Sequence, residues 1–311
     1  MLEIATVCVK DSLRMRHVQC LSMTLFSACS CAMMPLNKIL MMHLPHTPLT
    51  AIAGQMLLAS VVMAIIPWTY DASTSEFYMS LTLPPLFATS LTTSMLSLKH
   101  TSVGSVIAVR NLAPLVSLPL EHALVERQHL SRYSTAALAS VVCGCTMYVW
   151  SDTHTSALGI GLAACNMCVG VCDRLTQRYM LSATTTPRST MLFVNNLFGG
   201  VFVVGLALAT GEHSATALNT NTAWPSWGAA ALVGLLMGYS SALAQSQVSA
   251  TTHLFISNVN RILVLAISSV VLSEAMTMRK WLAAALSTAG TAAYAHSRIS
   301  VTSSGYAAAP A

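Results

Sequence analysis

Four charged residues and two amide clusters, standing in otherwise apolar runs, are the side chains of this chain with chemistry to perform. Lys38, Arg110, Glu121 and Arg261 lie within long uncharged stretches, where a charge at bilayer depth costs about 2.5–3.5 kcal/mol on insertion scales. A guanidinium presents a planar fork of donors that matches phosphate oxygens bidentately, so Arg110 and Arg261 point to an anionic ligand. Lys38 stands late in its run, where it either snorkels to the interface or adds a second phosphate contact. Ser257, Asn258 and Asn260 crowd Arg261: Asn258 lies three residues and Ser257 four residues before it, one helical face in each case. His253 precedes Asn260 by about two turns on a face directed to the same place. A second amide pair, Asn195-Asn196, interrupts another apolar run. Amides donate and accept together, which suits a purine edge; their other role is interhelical glue, worth about 0.6 kcal/mol on average.

Several chemistries find no support. No Gly-rich phosphate loop, nucleophile elbow or pair of carboxylates is present, so no catalysis is expected. Cys165, Cys168 and Cys172 share one helical face but have no histidine at ligand spacing, so neither a metal nor a cofactor is expected. No block of five or six basic residues suggests nucleic acid.

The elements holding these residues follow from composition. Of the 311 residues, 54% are apolar and 8% charged, against roughly 25% charged in a soluble domain. Residues 81–97, 133–150, 189–211, 213–260 and 281–297 contain no Asp, Glu, Lys or Arg, and about 20 apolar residues span about 30 Å of hydrocarbon. The expected fold is an all-α polytopic membrane protein with ten transmembrane helices, near 18–42, 46–68, 79–98, 102–122, 133–151, 155–177, 190–210, 224–246, 250–273 and 278–297. Abundant Ala, Ser, Thr, Gly and Met favour close packing in lipid, and uninterrupted apolar runs disagree with a membrane β-barrel. The first sixteen residues lack a signal-peptide pattern. Lys and Arg concentrate at one side, which places both termini in the cytosol.

An internal echo divides the chain. Glu126 to Tyr133 aligns with Glu274 to Trp281, and each opens the last span of a half. Five spans per half inverts the second half relative to the first, the arrangement of many secondary transporters. The expected organisation is a cytosolic tail (1–17), two inverted five-helix repeats (18–152 and 153–298) and a cytosolic tail (299–311).

These residues resemble a family. Pro35-Leu-Asn-Lys38, Gln55-Met56, Ser97 to Val103, Arg110-Asn-Leu-Ala-Pro114 and Val248 to Thr252 are similar to segments of the nucleotide-sugar transporters of the drug/metabolite transporter superfamily. Phe193-Val-Asn-Asn196 looks like the F-Y-N-N motif of the GDP-mannose branch, and Ser257-Asn-Val-Asn-Arg261 occupies the place of its G-A-L-N-K motif. The resemblance implies that Phe193, Asn195 and Asn196 meet the nucleotide, and that Ser257, Asn258, Asn260 and Arg261 meet the sugar and phosphate end. Tyr239 and His253 join the same site, with Arg110 and Lys38 as further phosphate contacts. Val194, Ser257, Asn258, Arg261 and His253 depart from the family pattern. It further implies exchange of a GDP-sugar for a nucleoside monophosphate across a Golgi membrane, with lipid as surroundings and a homodimer as an option. Another phosphorylated solute, or a non-transporting membrane scaffold, is the alternative.

Overall fold

The computed structural model describes residues 2–65, 74–124, 131–183, 188–212, 223–247 and 250–307. Every regular element in them is helical: α1 (Leu2–His43), α2 (Pro48–Ile65), α3 (Thr74–Ser80), α4 (Leu83–His100), α5 (Val103–Arg110), α6 (Ala113–Leu124), α7 (Arg132–Ser151), α8 (Ala157–Ala183), α9 (Arg188–Ala209), α10 (Ala223–Gln247), α11 (Ala250–Val271) and α12 (Met278–Ala307). Six segments are long and apolar enough to cross a membrane: Cys20–His43, Pro48–Ile65, Val103–Leu120, Arg132–Ser151, Ala157–Gln177 and Ser189–Ala209. The remaining long helices, α4, α10, α11 and α12, run beside them.

Two features differ from the expected boundaries. Helix α1 begins at Leu2 and α12 continues to Ala307, because neither flank contains a proline to stop the backbone ladder. The expected fourth span is two helices broken at Asn111–Leu112. Pro114 supplies no N–H to the Arg110 carbonyl and its ring crowds that carbonyl. The chain bridges the gap by shorter-range bonds, Asn111 N–H to the Ala108 carbonyl at 3.2 Å and Leu112 N–H to the Val109 carbonyl at 3.0 Å.

Helices α7 and α12 lie antiparallel and define the two ends of the bundle. Ser134 at the start of α7 meets Ser297 of α12 at 2.9 Å, and Asp152, the C-cap of α7, meets Lys280 at the start of α12 at 3.0 Å. Glycines let the backbones touch: a Cβ on Gly144 would stand 2.6 Å from the Ser287 nitrogen, and one on Gly290 would stand 2.8 Å from the Ala137 carbonyl oxygen. Such contacts replace the hydrophobic effect, which lipid does not supply between helices.

The outside is apolar. Val61, Ile65, Val201, Leu232 and Val270 are all more than half exposed, as expected of a surface facing hydrocarbon. Trp150 and Trp224 stand exposed toward the Asp152 end, and Tyr133 and Tyr179 toward the Ser134 end, the interfacial positions that amphipathic rings favour.

Candidate functional site

Six of the expected site residues converge on a cavity of about 630 Å³ lined by α1, α2, α4, α5, α8, α9, α10 and α11, within the ~300–1,000 Å³ range of small-molecule sites. Helices α7 and α12 contribute no lining residue; they brace the bundle from the side.

One wall is cationic. Arg110 ends α5 at the proline-induced break. Its Nε donates to Asn166 Oδ1 at 2.8 Å and its Nη2 to Ser94 Oγ at 2.6 Å, and Nη1 rests 3.8 Å from Met34 Sδ. Arg261 of α11 donates from Nη1 to Asn111 Oδ1 at 2.6 Å. Asn111 sits at the break, buried at 1% exposure, and its amide also donates to Ser287 Oγ at 3.0 Å. Arg174 of α8 completes the wall. The sole ion pair among the described residues is Lys280–Asp152, so none of the three cavity arginines is neutralised by a carboxylate contact.

Amides line the same cavity. Asn195 and Asn196 come from α9 and Gln55 from α2, two helices packed along each other. Asn196 Nδ2 donates to the Leu192 carbonyl at 2.8 Å. Asn195 Oδ1, Gln55 Nε2 and Asn260 Nδ2 are buried without a hydrogen-bond partner among the described residues. Such atoms cost about 1–3 kcal/mol each, and a polar ligand in the cavity would offset that.

Of the expected site residues, Asn195, Asn196, Ser257, Asn260, Arg261 and Arg110 line the cavity. Asn258 is buried behind it at 5% exposure with its Oδ1 unpartnered. Phe193 is half-buried off the lining. Tyr239 is 58% exposed on the outer face of α10; Gly238 and Ser241 point inward in its place, as the helical period requires. Lys38 also lies off the lining: its Nζ donates to the carbonyls of Leu98 at 2.5 Å and Thr101 at 2.8 Å. The last turn of α4 has no intrahelical partners for these oxygens, and the lysine closes them. The side chains of His253 and Glu121 lie outside the described residues. Among the described residues no group of three metal-binding side chains occurs.

Sequence reasoning missed Asn166, Ser94, Gln55 and Arg174. Asn166 and Arg174 sit eight residues apart on α8, a spacing that would have put them on nearly one face.

The Asp152 end is sealed. Asp152 Oδ2 accepts from Ser102, Ser105 and Thr155, and Oδ1 from Lys280 Nζ. Burial alone would push this carboxyl up, but the bonds from Ser102, Ser105, Lys280 and Thr155 prevail and hold it well below the usual carboxylate range, so the pair stays ionised. Glu274, between α11 and α12, accepts from the Val103 N–H at 3.1 Å. Glu212 caps the N-terminus of α2 through the Leu49 N–H at 2.8 Å, a favourable place for an anion.

Residues 159–295 match the EamA-like transporter family. No curated protein sequence matches the chain. One solved structure, described as a crystal structure of a protein, is 13% identical over 90% of this chain and 96% of its own, with a TM-score of 0.51; at that identity the likeness concerns the fold. The described residues form an all-helical bundle with six segments long and apolar enough to cross a membrane, as in a polytopic membrane protein, and the family matched over residues 159–295 is one of transporters.

Proposed function

We propose that this membrane transporter, similar to the EamA-like family over residues 159–295, carries a nucleotide sugar, GDP-mannose or a related GDP-sugar, in exchange for the nucleoside monophosphate left after glycosyl transfer. The observation that carries the proposal is the gathering of three guanidiniums and several amides in one cavity. A nucleotide sugar has the complementary chemistry: anionic phosphates joined to neutral rings rich in donors and acceptors. Arg261 and Arg110 would hold phosphate, Asn195, Asn196 and Gln55 would meet the base or ribose, and Asn260 and Ser257 the sugar.

The membrane arrangement belongs to the same proposal: ten spans in two inverted halves, with α5 and α6 together forming one span. Its support is the packing pattern. When each helix is exchanged for the one five passes along, the α1–α10 contact maps onto α8–α4, while α2–α9 and α7–α12 map onto themselves. Arg132, Arg174, Arg178 and Arg188 gather toward the Ser134 end, which the positive-inside rule assigns to the cytosol. The sealed Asp152 end would then face the lumen of a Golgi-type membrane. The halves would rock about the cavity, as in other inverted-repeat carriers. An empty cationic cavity is costly to enclose and an occupied one less so, which couples reorientation to substrate and gives exchange.

Purified protein in proteoliposomes tests this. Uptake of labelled GDP-mannose should accelerate at least about fivefold when GMP is loaded inside, and excess GDP-sugar should compete better than UDP-galactose or CMP-sialic acid. Equal rates with and without internal GMP would rule out exchange, and preferential competition by a sugar phosphate would transfer the site to that class.

A further inference from the structure

Arg174, late in α8, turns back along that helix into the cavity. Its Nε donates to the Gly170 carbonyl at 2.9 Å. Its Nη2 lies 3.8 Å from the point where a Cβ on residue 170 would stand, and Ser90 Oγ lies 3.5 Å from that same point. Both are ordinary contact distances, and they place the guanidinium beside the seam between α8 and α4. One turn further along that seam, Asn166 donates to the Ser90 carbonyl at 2.6 Å and accepts from Arg110 Nε at 2.8 Å.

The three guanidiniums are not equally occupied. All three nitrogens of Arg110 have protein partners, and Arg261 is tethered through Asn111. Both terminal nitrogens of Arg174 remain open among the described residues, and the side chain is exposed to the cavity. Asp173, the one carboxylate on the lining, is engaged by Gln177 Nε2 at 2.9 Å. Three cations against one anion leave two positive charges in excess.

We propose that Arg174 is the specificity-determining cation of this cavity: its open fork takes the second phosphoryl group of a diphosphate-linked solute, while Arg261 and Arg110 hold the first. This rests on the reading that the transported ligand enters this cavity. A monophosphate satisfies the tethered pair and gains little from a third guanidinium. A diphosphate extends along the α8–α4 seam and gains a bidentate contact.

The test is binding to the full chain in detergent, by ligand-dependent thermal stabilisation, with phosphate, pyrophosphate, GMP, GDP and GDP-mannose in magnesium-free buffer. The wild-type chain should prefer pyrophosphate to phosphate and GDP to GMP. Arg174→Gln should weaken pyrophosphate, GDP and GDP-mannose by about tenfold to a hundredfold, the range of one charge-assisted contact, and weaken phosphate and GMP less than about threefold. Arg174→Lys keeps the charge without the fork; it should melt unliganded like the wild type and still lose most of the diphosphate preference. Equal losses for mono- and diphosphates, no loss in either variant, or a wild-type chain indifferent to phosphate and pyrophosphate would overturn the proposal. A pyrophosphate preference that depends on Arg174 in a chain that ignores GDP, GMP and GDP-mannose would uphold Arg174 and sink the nucleotide-sugar reading.

Discussion

A guanidinium in a membrane helix persists where something compensates its desolvation, and Arg261 has one neutral partner, Asn111 Oδ1 at 2.6 Å. A hydrogen bond to a neutral amide does not cancel a charge, so the residue keeps most of its attraction for an anion. Arg261→Ala should therefore reduce GDP-mannose affinity by about tenfold to a hundredfold with a smaller effect on the melting temperature of the empty protein. Arg261→Lys should recover only part of the affinity, because an ammonium lacks the planar fork. A parallel titration and melting curve check both. An unchanged affinity with a collapsed melting temperature would mean that the arginine only holds α11 to the α5–α6 break.

Among the elements, the seam between α7 and α12 carries the stability while the cavity helices carry the site. Gly144 has no space for a methyl group, since its Cβ would meet the Ser287 nitrogen and the Ala283 carbonyl at 2.6 and 2.7 Å. Gly144→Ala should force the two backbones apart and cost about 1–3 kcal/mol, read as a lower thermal midpoint. Gly161→Ala, where nothing lies within 4 Å, is the matched control and should be neutral or slightly stabilising. The α5–α6 break has the opposite purpose. Pro114 sacrifices a helical bond and thereby presents Arg110 and Asn111 at the middle of the bundle, a device that membrane carriers also use at broken helices.

At the scale of the whole molecule, the buried Lys280–Asp152 pair ties the end of α7 to the start of α12, with side-chain exposures of 5% and 0%. Removing one partner strands the other charge in a dry site. Asp152→Asn should destabilise the protein by about 3–5 kcal/mol. Adding Lys280→Met to it should recover a large part of that loss, measured as a double-mutant cycle of melting free energies. Additive losses would show that the two charges act independently. The same end is closed by Lys38 on the α4 carbonyls and Glu274 on the Val103 N–H, so the cavity of this state reaches toward the Ser134 end.

The amino-acid sequence by itself determined the solvent, the helical class and most of the polar residues that gather in the cavity. With 8% charged residues the chain must face lipid, lipid demands internally bonded helices, and a cation or amide kept there implies a use for it. Asn195, Asn196, Asn260, Arg110 and Arg261 were legible for that reason: each is locally anomalous. Tertiary structure alone decided which anomalies meet. Lys38 looked like Arg261 in sequence but is spent on the carbonyl end of α4, and Tyr239 faces outward. Arg174, late in α8, folds back along its helix and lines the cavity. Asn111 became a partner of Arg261 because a proline three residues later breaks the helix. Local composition records the cost of placing a polar group in an apolar run; which neighbour compensates it depends on helix rotation and on contacts between distant segments.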